Sequence, residues 1–226
     1  MVEELREMLE MKSAVGRMAL LEKKILELGQ LAETSVSRAI TALTQRDTMM
    51  ARAVIKEDAE IDHLEVEIEE LCIEILEQER PQGDDLRMVV AVLKINDSLE
   101  RIGDHAENVA EVVVKVGDWE RFRRVPGIGE MADAAQRMLE MSVRALLLRD
   151  SHLARDVIEA DDRVDALHDR IRDRIEKELE RIPENANPLL LLEYATRQFE
   201  RVGDVATNIA EEVIYLVEGK IVRHLG

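Results

Sequence analysis

A run reading Leu99-Glu100-Arg101-Ile102-Gly103-Asp104-His105-Ala106-Glu107-Asn108-Val109-Ala110-Glu111 returns near the C-terminus. There it reads Phe199-Glu200-Arg201-Val202-Gly203-Asp204-Val205-Ala206-Thr207-Asn208-Ile209-Ala210-Glu211. The shared pattern is apolar-Glu-Arg-apolar-Gly-Asp-x-Ala-x-Asn-apolar-Ala-Glu. On a helix, Glu and Asp four residues apart stand one above the other, and the Asn four further on extends that line of oxygens. Helix packing alone asks for no such line, so its recurrence points to two copies of one acidic helical unit.

The rest of the chain fits that duplication. Residues 1–12 read as a mixed-charge lead-in or the start of the first helix, and residues 13–46 as the first helix, with Leu21, Ile25, Leu28, Leu31 and Ala32 on its apolar face. Asp47-Thr48 offers a break and a cap. A second helix over 48–79 carries the seam Ile61, Leu64, Ile68, Leu71 and Ile75, flanked by the acidic stripe Asp58, Asp62, Glu65 and Glu69. After the Pro81 turn, a third helix over 84–116 holds the first motif. The richest break, from Gly117 through Trp119 to Pro126-Gly127, divides the chain into units 1–117 and 118–226. The second unit repeats the plan with helices over 127–149, 151–181 and 189–224, the seam Val164, Leu167 and Ile171, and the acidic pair Asp161 and Asp165. A period near 100 residues indicates domain duplication, and short turns make neighbouring helices antiparallel. The predicted architecture is all-α, two tandem antiparallel three-helix bundles.

Composition narrows the function. Only 2% of residues are aromatic, so the core is aliphatic, and 10 Gly with 4 Pro favour long helices over a many-stranded sheet. A net charge of -18 argues against nucleic acid and against direct attraction to anionic lipid. Cations and basic partner surfaces are its natural counterparts. Cys72 is the single cysteine, excludes an intramolecular disulfide and reads as a small buried hydrophobe. No apolar run approaches the ~20 residues of a bilayer span, and the acidic N-terminus lacks a signal-peptide layout. A cytoplasmic protein is expected. The arginine-rich face of 170–181 and residues 133–144 read as solvated helix surface, with Arg121-Arg123-Arg124 and Arg170-Arg172-Arg174 as basic spots for acidic partners.

In each half, the second helix offers Asp-x-x-x-Asp and the third offers Glu-x-x-x-Asp. Reversal of the chain lets the pairs face one another: Asp58, Asp62, Glu100 and Asp104, then Asp161, Asp165, Glu200 and Asp204. Four clustered carboxylates repel unless protonated, hydrated or neutralised, and a multivalent cation neutralises them. Oxygen ligands suit Mg, Ca, Mn or Fe, while His168, three residues after Asp165, would tilt the second site toward Fe, Mn or Zn. His63 and His105 could do the same in the first half; His152 and His224 look peripheral. Glu65 is a further candidate ligand. Asn108 and Asn208 read as second-row groups or interhelical hydrogen-bond partners, and Arg101 and Arg201 as partners of nearby carboxylates. Gly103 and Gly203 mark close helix approach, with or without a ligand. The alternative is a solvated acidic face that binds nothing. Arg197 stands where the first half has Asp97, so the two sites are expected to differ in occupancy or nuclearity.

The twin motifs, the acidic segments 57–70 and 159–169 and the tail over 211–220 resemble the PhoU family of phosphate-signalling regulators, over residues 18–224. The resemblance implies a non-enzymatic cytoplasmic adaptor between the ATPase subunit of a phosphate ABC transporter and a sensor histidine kinase. It would hold the phosphate-starvation response off and touch the membrane only through partners. The resemblance further implies iron or zinc clusters on the eight carboxylates named above. Homodimerisation is compatible with such helices. Two other readings remain. Glu60-x-x-His63 has the ligand spacing of di-iron carboxylate oxidases or ferroxidases, although the second half offers Asp165-x-x-His168 instead. A purely structural helical scaffold is the other.

Overall fold

The computed structural model describes residues 2–116, 125–183 and 186–222, with side chains from residue 16 onward. It consists of α1 (Val2–Gln45), α2 (Thr48–Gln78), α3 (Gly83–Lys115), α4 (Ile128–Leu148), α5 (Ser151–Arg181) and α6 (Ala186–Glu218).

The two short hairpin turns are built alike. Arg46 and Arg149 take left-handed backbone angles, with φ of 62° and 50°. The next residue then caps the following helix. Asp47 accepts from the amides of Met49 and Met50, both at 2.9 Å, and Asp150 from those of His152 at 2.9 Å and Leu153 at 3.1 Å. Each carboxylate satisfies two of the amides that open a helix without partners.

The first helix begins at Val2, so the mixed-charge lead-in is the start of that helix. One end differs from expectation. The last helix spans Ala186–Glu218 and stops short of residue 224. Gly219, with φ +69°, donates its amide to the Tyr215 carbonyl at 2.9 Å. This left-handed glycine ends the helix as helices commonly end. The Trp119 break, the Arg121-Arg123-Arg124 spot and His224 lie outside the described residues.

Helices α1, α2 and α3 pack as one bundle and α4, α5 and α6 as the other, joined where α3 lies on α6 and α1 on α4. Both junctions run antiparallel. On α3 and α6, His105 meets Gln198 at 3.0 Å while Lys94 meets Glu212 at 3.2 Å. On α1 and α4, Gly29 faces Val143 while Glu22 pairs with Arg149. The antiparallel α3–α6 crossing brings the two repeated motifs next to one another at the centre of the molecule. The predicted seams are buried: Ile61, Leu64, Ile68, Leu71 and Ile75 on α2, and Val164, Leu167 and Ile171 on α5. Phe199 heads the fully buried side chains of an otherwise aliphatic core. Cys72 is part of that core, and burial, with Glu69 adding to it, pushes its thiol up to about 12.

Candidate metal centre

Each bundle gathers three carboxylates from its last two helices. In the first, Asp58 of α2 meets Asp104 and Glu107 of α3, with one oxygen from each within 4.8 Å of the others. In the second, Asp161 and Asp165 of α5 meet Asp204 of α6 within the same limit. Asp58 and Asp161 occupy matching places in the two copies. In both, the Oδ1 atom is buried and has no hydrogen-bond partner among the described residues. A buried polar oxygen without a donor is costly, and two at repeated positions call for a common explanation. A hard cation seated among the carboxylates would satisfy both, so the residues fit the ion their chemistry suggests.

The electrostatics agree with this geometry. Burial, then Glu107, Asp62 and Asp104, raises Asp58 to about 6. Burial, then Asp104, Asp62, Asp97 and Glu65, raises Glu100 to about 7. Burial, then Asp165, Asp204, Asp162 and Glu200, raises Asp161 to about 6. Glu65, Glu107 and Asp204 are raised as well, each first by burial and then by neighbouring carboxylates. These groups hold protons more tightly in the folded than in the unfolded chain. Their contribution to stability is therefore full below the ordinary carboxylate range and is lost as pH rises through about 6 to 7. In a chelating buffer the chain should melt at a lower temperature near pH ~7.5 than near pH ~5.5. Asp58→Asn and Glu100→Gln should flatten that slope. Calorimetry across pH checks it, and a melting point that climbs over this interval would contradict it.

Asp62 and Glu100 stand beside the first triad and act on it electrostatically, outside its tightest grouping. Glu65 is steadied by Asn96, whose amide donates to the Glu65 carbonyl at 2.9 Å and to its carboxylate at 3.1 Å. In the second half, Glu200 pairs with Nδ1 of the buried His168 ring at 3.1 Å. Asn108 donates to the Asp104 carbonyl at 2.7 Å and accepts from the Tyr194 hydroxyl at 2.8 Å, an interhelical bridge to α6. Asn208 is exposed. His105 lies in the α3–α6 junction against Gln198, away from a ligand role. His63 and Glu60 are exposed, and Glu60 lines a cleft with Leu31, Thr34 and Arg38. The Glu60-x-x-His63 pair therefore does not join the carboxylate cluster.

Four points differ from the sequence reading. Glu107 was not among the sequence candidates, because the second copy has Thr207 there and the repeat masked it. Only one of the two glycines is forced. A Cβ on Gly103 would lie 2.9 Å from Asp58 Oδ1 and 2.9 Å from Ile61 Cδ1, whereas one on Gly203 would meet Asp161 Oδ1 at an ordinary 3.4 Å. Arg101 and Arg201, expected to pair with carboxylates, form no ion pair or hydrogen bond among the described residues, although both lie near Asp204. Arg174 of the second basic spot is committed to the Pro126 carbonyl at 2.5 Å, and Arg172 pairs with Asp169 at 3.0 Å.

Paired three-helix bundles, each bringing carboxylates together across its last two helices, define a duplicated helical-bundle protein with two acidic centres. The PhoU domain family matches residues 25–113 and again 128–213, and the chain belongs to the PhoU family. It is 34% identical over 203 residues to the phosphate-specific transport system accessory protein PhoU homolog of Aquifex aeolicus, covering 90% of this chain and 92% of that one. The namesake homolog of Pseudomonas aeruginosa is 34% identical over 203 residues, covering 89% and 84%. The crystal structure of PhoU from Pseudomonas aeruginosa superposes with a TM-score of 0.84 at 30% identity, covering 91% of this chain and 99% of that one. The phosphate transport system regulatory protein PhoU from Streptococcus pneumoniae gives 0.84 at 27% identity, covering 92% and 99%.

Proposed function

We propose that this chain is a non-enzymatic accessory regulator of phosphate transport. It docks on the ATPase subunit of a phosphate ABC transporter and on a sensor histidine kinase, and keeps the phosphate-starvation response off while phosphate is plentiful. The observation that carries the reading is the family match through both halves, together with relatives named as accessory proteins of phosphate-specific transport. Among the described residues no helix is long and apolar enough to cross a membrane, which fits contact with the membrane through partners and a cytoplasmic home. A homodimer is part of the proposal, expected in light scattering as about twice the chain mass of 25.8 kDa.

The acidic centres are proposed as cation sites. Asp58, Asp104 and Glu107 would hold one ion, assisted by Asp62, Glu65 and Glu100. Asp161, Asp165 and Asp204 would hold another, with Glu200 steadied by His168. Iron or zinc suits the second centre, where imidazole stands near; manganese, magnesium or calcium would also suit the first. A bound cation supplies the positive charge that lets these carboxylates remain ionised together. The residues themselves tie α2 to α3 and α5 to α6, fixing the acidic faces that partners read. Any switching between partners is limited to the difference in affinity for their two states. Pull-down with the purified ATPase subunit and the kinase cytoplasmic fragment tests the proposal. Capture of both by the folded chain is expected; capture of neither would remove it.

A further inference from the structure

Beside the second acidic centre lies a cavity of about 340 Å³ lined by Arg101, Arg197, Glu200, Arg201, Asp204 and Val205. Three guanidinium groups in one cavity are unexpected in a chain of net charge -18. Arg101 comes from α3 and the other two from α6, so the cavity exists only because the two bundles meet there. The engagements of the lining decide what it can hold. Glu200 is taken by His168, while Asp204 lies among Asp161 and Asp165 and faces the charge of Arg101 and Arg201 without pairing with either. Arg197 reaches Glu193 at 3.4 Å. Arg101 and Arg201 make no hydrogen bond or ion pair among the described residues, so their planar donor forks are available to a guest.

At the matching position the first copy carries Asp97 instead of Arg197.

The geometry points to an oxyanion site at the α3–α6 junction, in which Arg101, Arg197 and Arg201 bind a small phosphoryl compound. Guanidinium forks match phosphoryl oxygens two at a time. The volume stands at the low end for ligand pockets and suits a compact polyanion rather than a large organic molecule. The site stands on the arginines and requires no cation.

Calorimetric titration of the full chain with sodium pyrophosphate, and separately with orthophosphate, tests it in low salt with EDTA throughout. EDTA keeps the result independent of the cation reading. Saturable binding at one site per chain is expected. Tighter binding of pyrophosphate assigns two phosphoryl groups to the cavity; tighter binding of orthophosphate assigns one. Arg101→Gln with Arg201→Gln should weaken binding at least tenfold, while Arg137→Gln, on the exposed face of α4, should leave it unchanged. Arg197→Asp gives the first-half pattern and serves as the second test should the double variant fail to fold. Absence of saturable binding for both anions, or unchanged affinity in the folded arginine variants, would overturn the site.

Discussion

Addition of a divalent cation to the chelator-treated chain, at about one hundred times its dissociation constant, should raise the melting temperature by roughly 5–10 °C for each centre filled. The size follows from linkage. A ligand at that excess stabilises the folded state by about 2.7 kcal/mol, and ~1 kcal/mol moves a chain of this length by roughly 2–4 °C. The informative comparison is Asp58→Asn combined with Asp161→Asn. Each replaces a carboxylate whose buried Oδ1 lacks a partner among the described residues and which its acidic neighbours oppose. In chelator the double variant should melt at or above the wild type, because a repelled buried charge is gone. With cation present the order should reverse, because the variant no longer responds. Differential scanning calorimetry reads both. A variant that loses stability in chelator and still gains it with cation would assign these aspartates a structural role only.

Gly103→Val should cost about 1–3 kcal/mol, the range for overpacking a close contact. The Cβ alone would stand 2.9 Å from both Asp58 Oδ1 and Ile61 Cδ1, and the branched methyl groups add bulk at the same spot. To admit them, the Asp58 carboxylate and the Ile61 side chain must shift, which also moves Asp58 relative to Asp104 and Glu107. Cation affinity should therefore fall along with stability. Gly203→Ala is the contrast. Its new methyl meets Asp161 Oδ1 at 3.4 Å and Val164 Cγ1 at 3.5 Å, ordinary contacts. Removing a glycine from a helix interior then leaves the chain unchanged or more stable by up to about 1 kcal/mol. Urea unfolding of the two variants checks this. Equal losses at both positions would mean that the first copy is no more tightly closed than the second.

Much of this frame was legible in the sequence because its signals are local. Threefold and fourfold spacing marked the α2 and α5 seams, and Asp47 and Asp150 announced the helix starts that they cap. The twin motifs gave the duplication and placed Asp58, Asp104, Asp161, Asp165 and Asp204 on facing helices. The finer site was not legible, because it depends on what crosses between helices. Glu107 joins the first group only through its reach toward α2, and Thr207 in the second copy concealed it. His168 supports Glu200 across the α5–α6 contact, a pairing that sequence separation does not reveal. The arginine cavity needs the antiparallel α3–α6 crossing, and periodicity within one helix says nothing about which helices cross. The end of α6 at Glu218 turns on a left-handed Gly219, since the apolar pattern of the tail runs on past it.

The two acidic centres are tested most directly by anomalous diffraction from crystals grown with manganese. The account predicts one set of peaks among Asp58, Asp104 and Glu107 and another among Asp161, Asp165 and Asp204, with the first absent in Asp58→Asn and the second in Asp161→Asn. Manganese that saturates the crystal yet scatters only from other surfaces, or from neither centre, would contradict it.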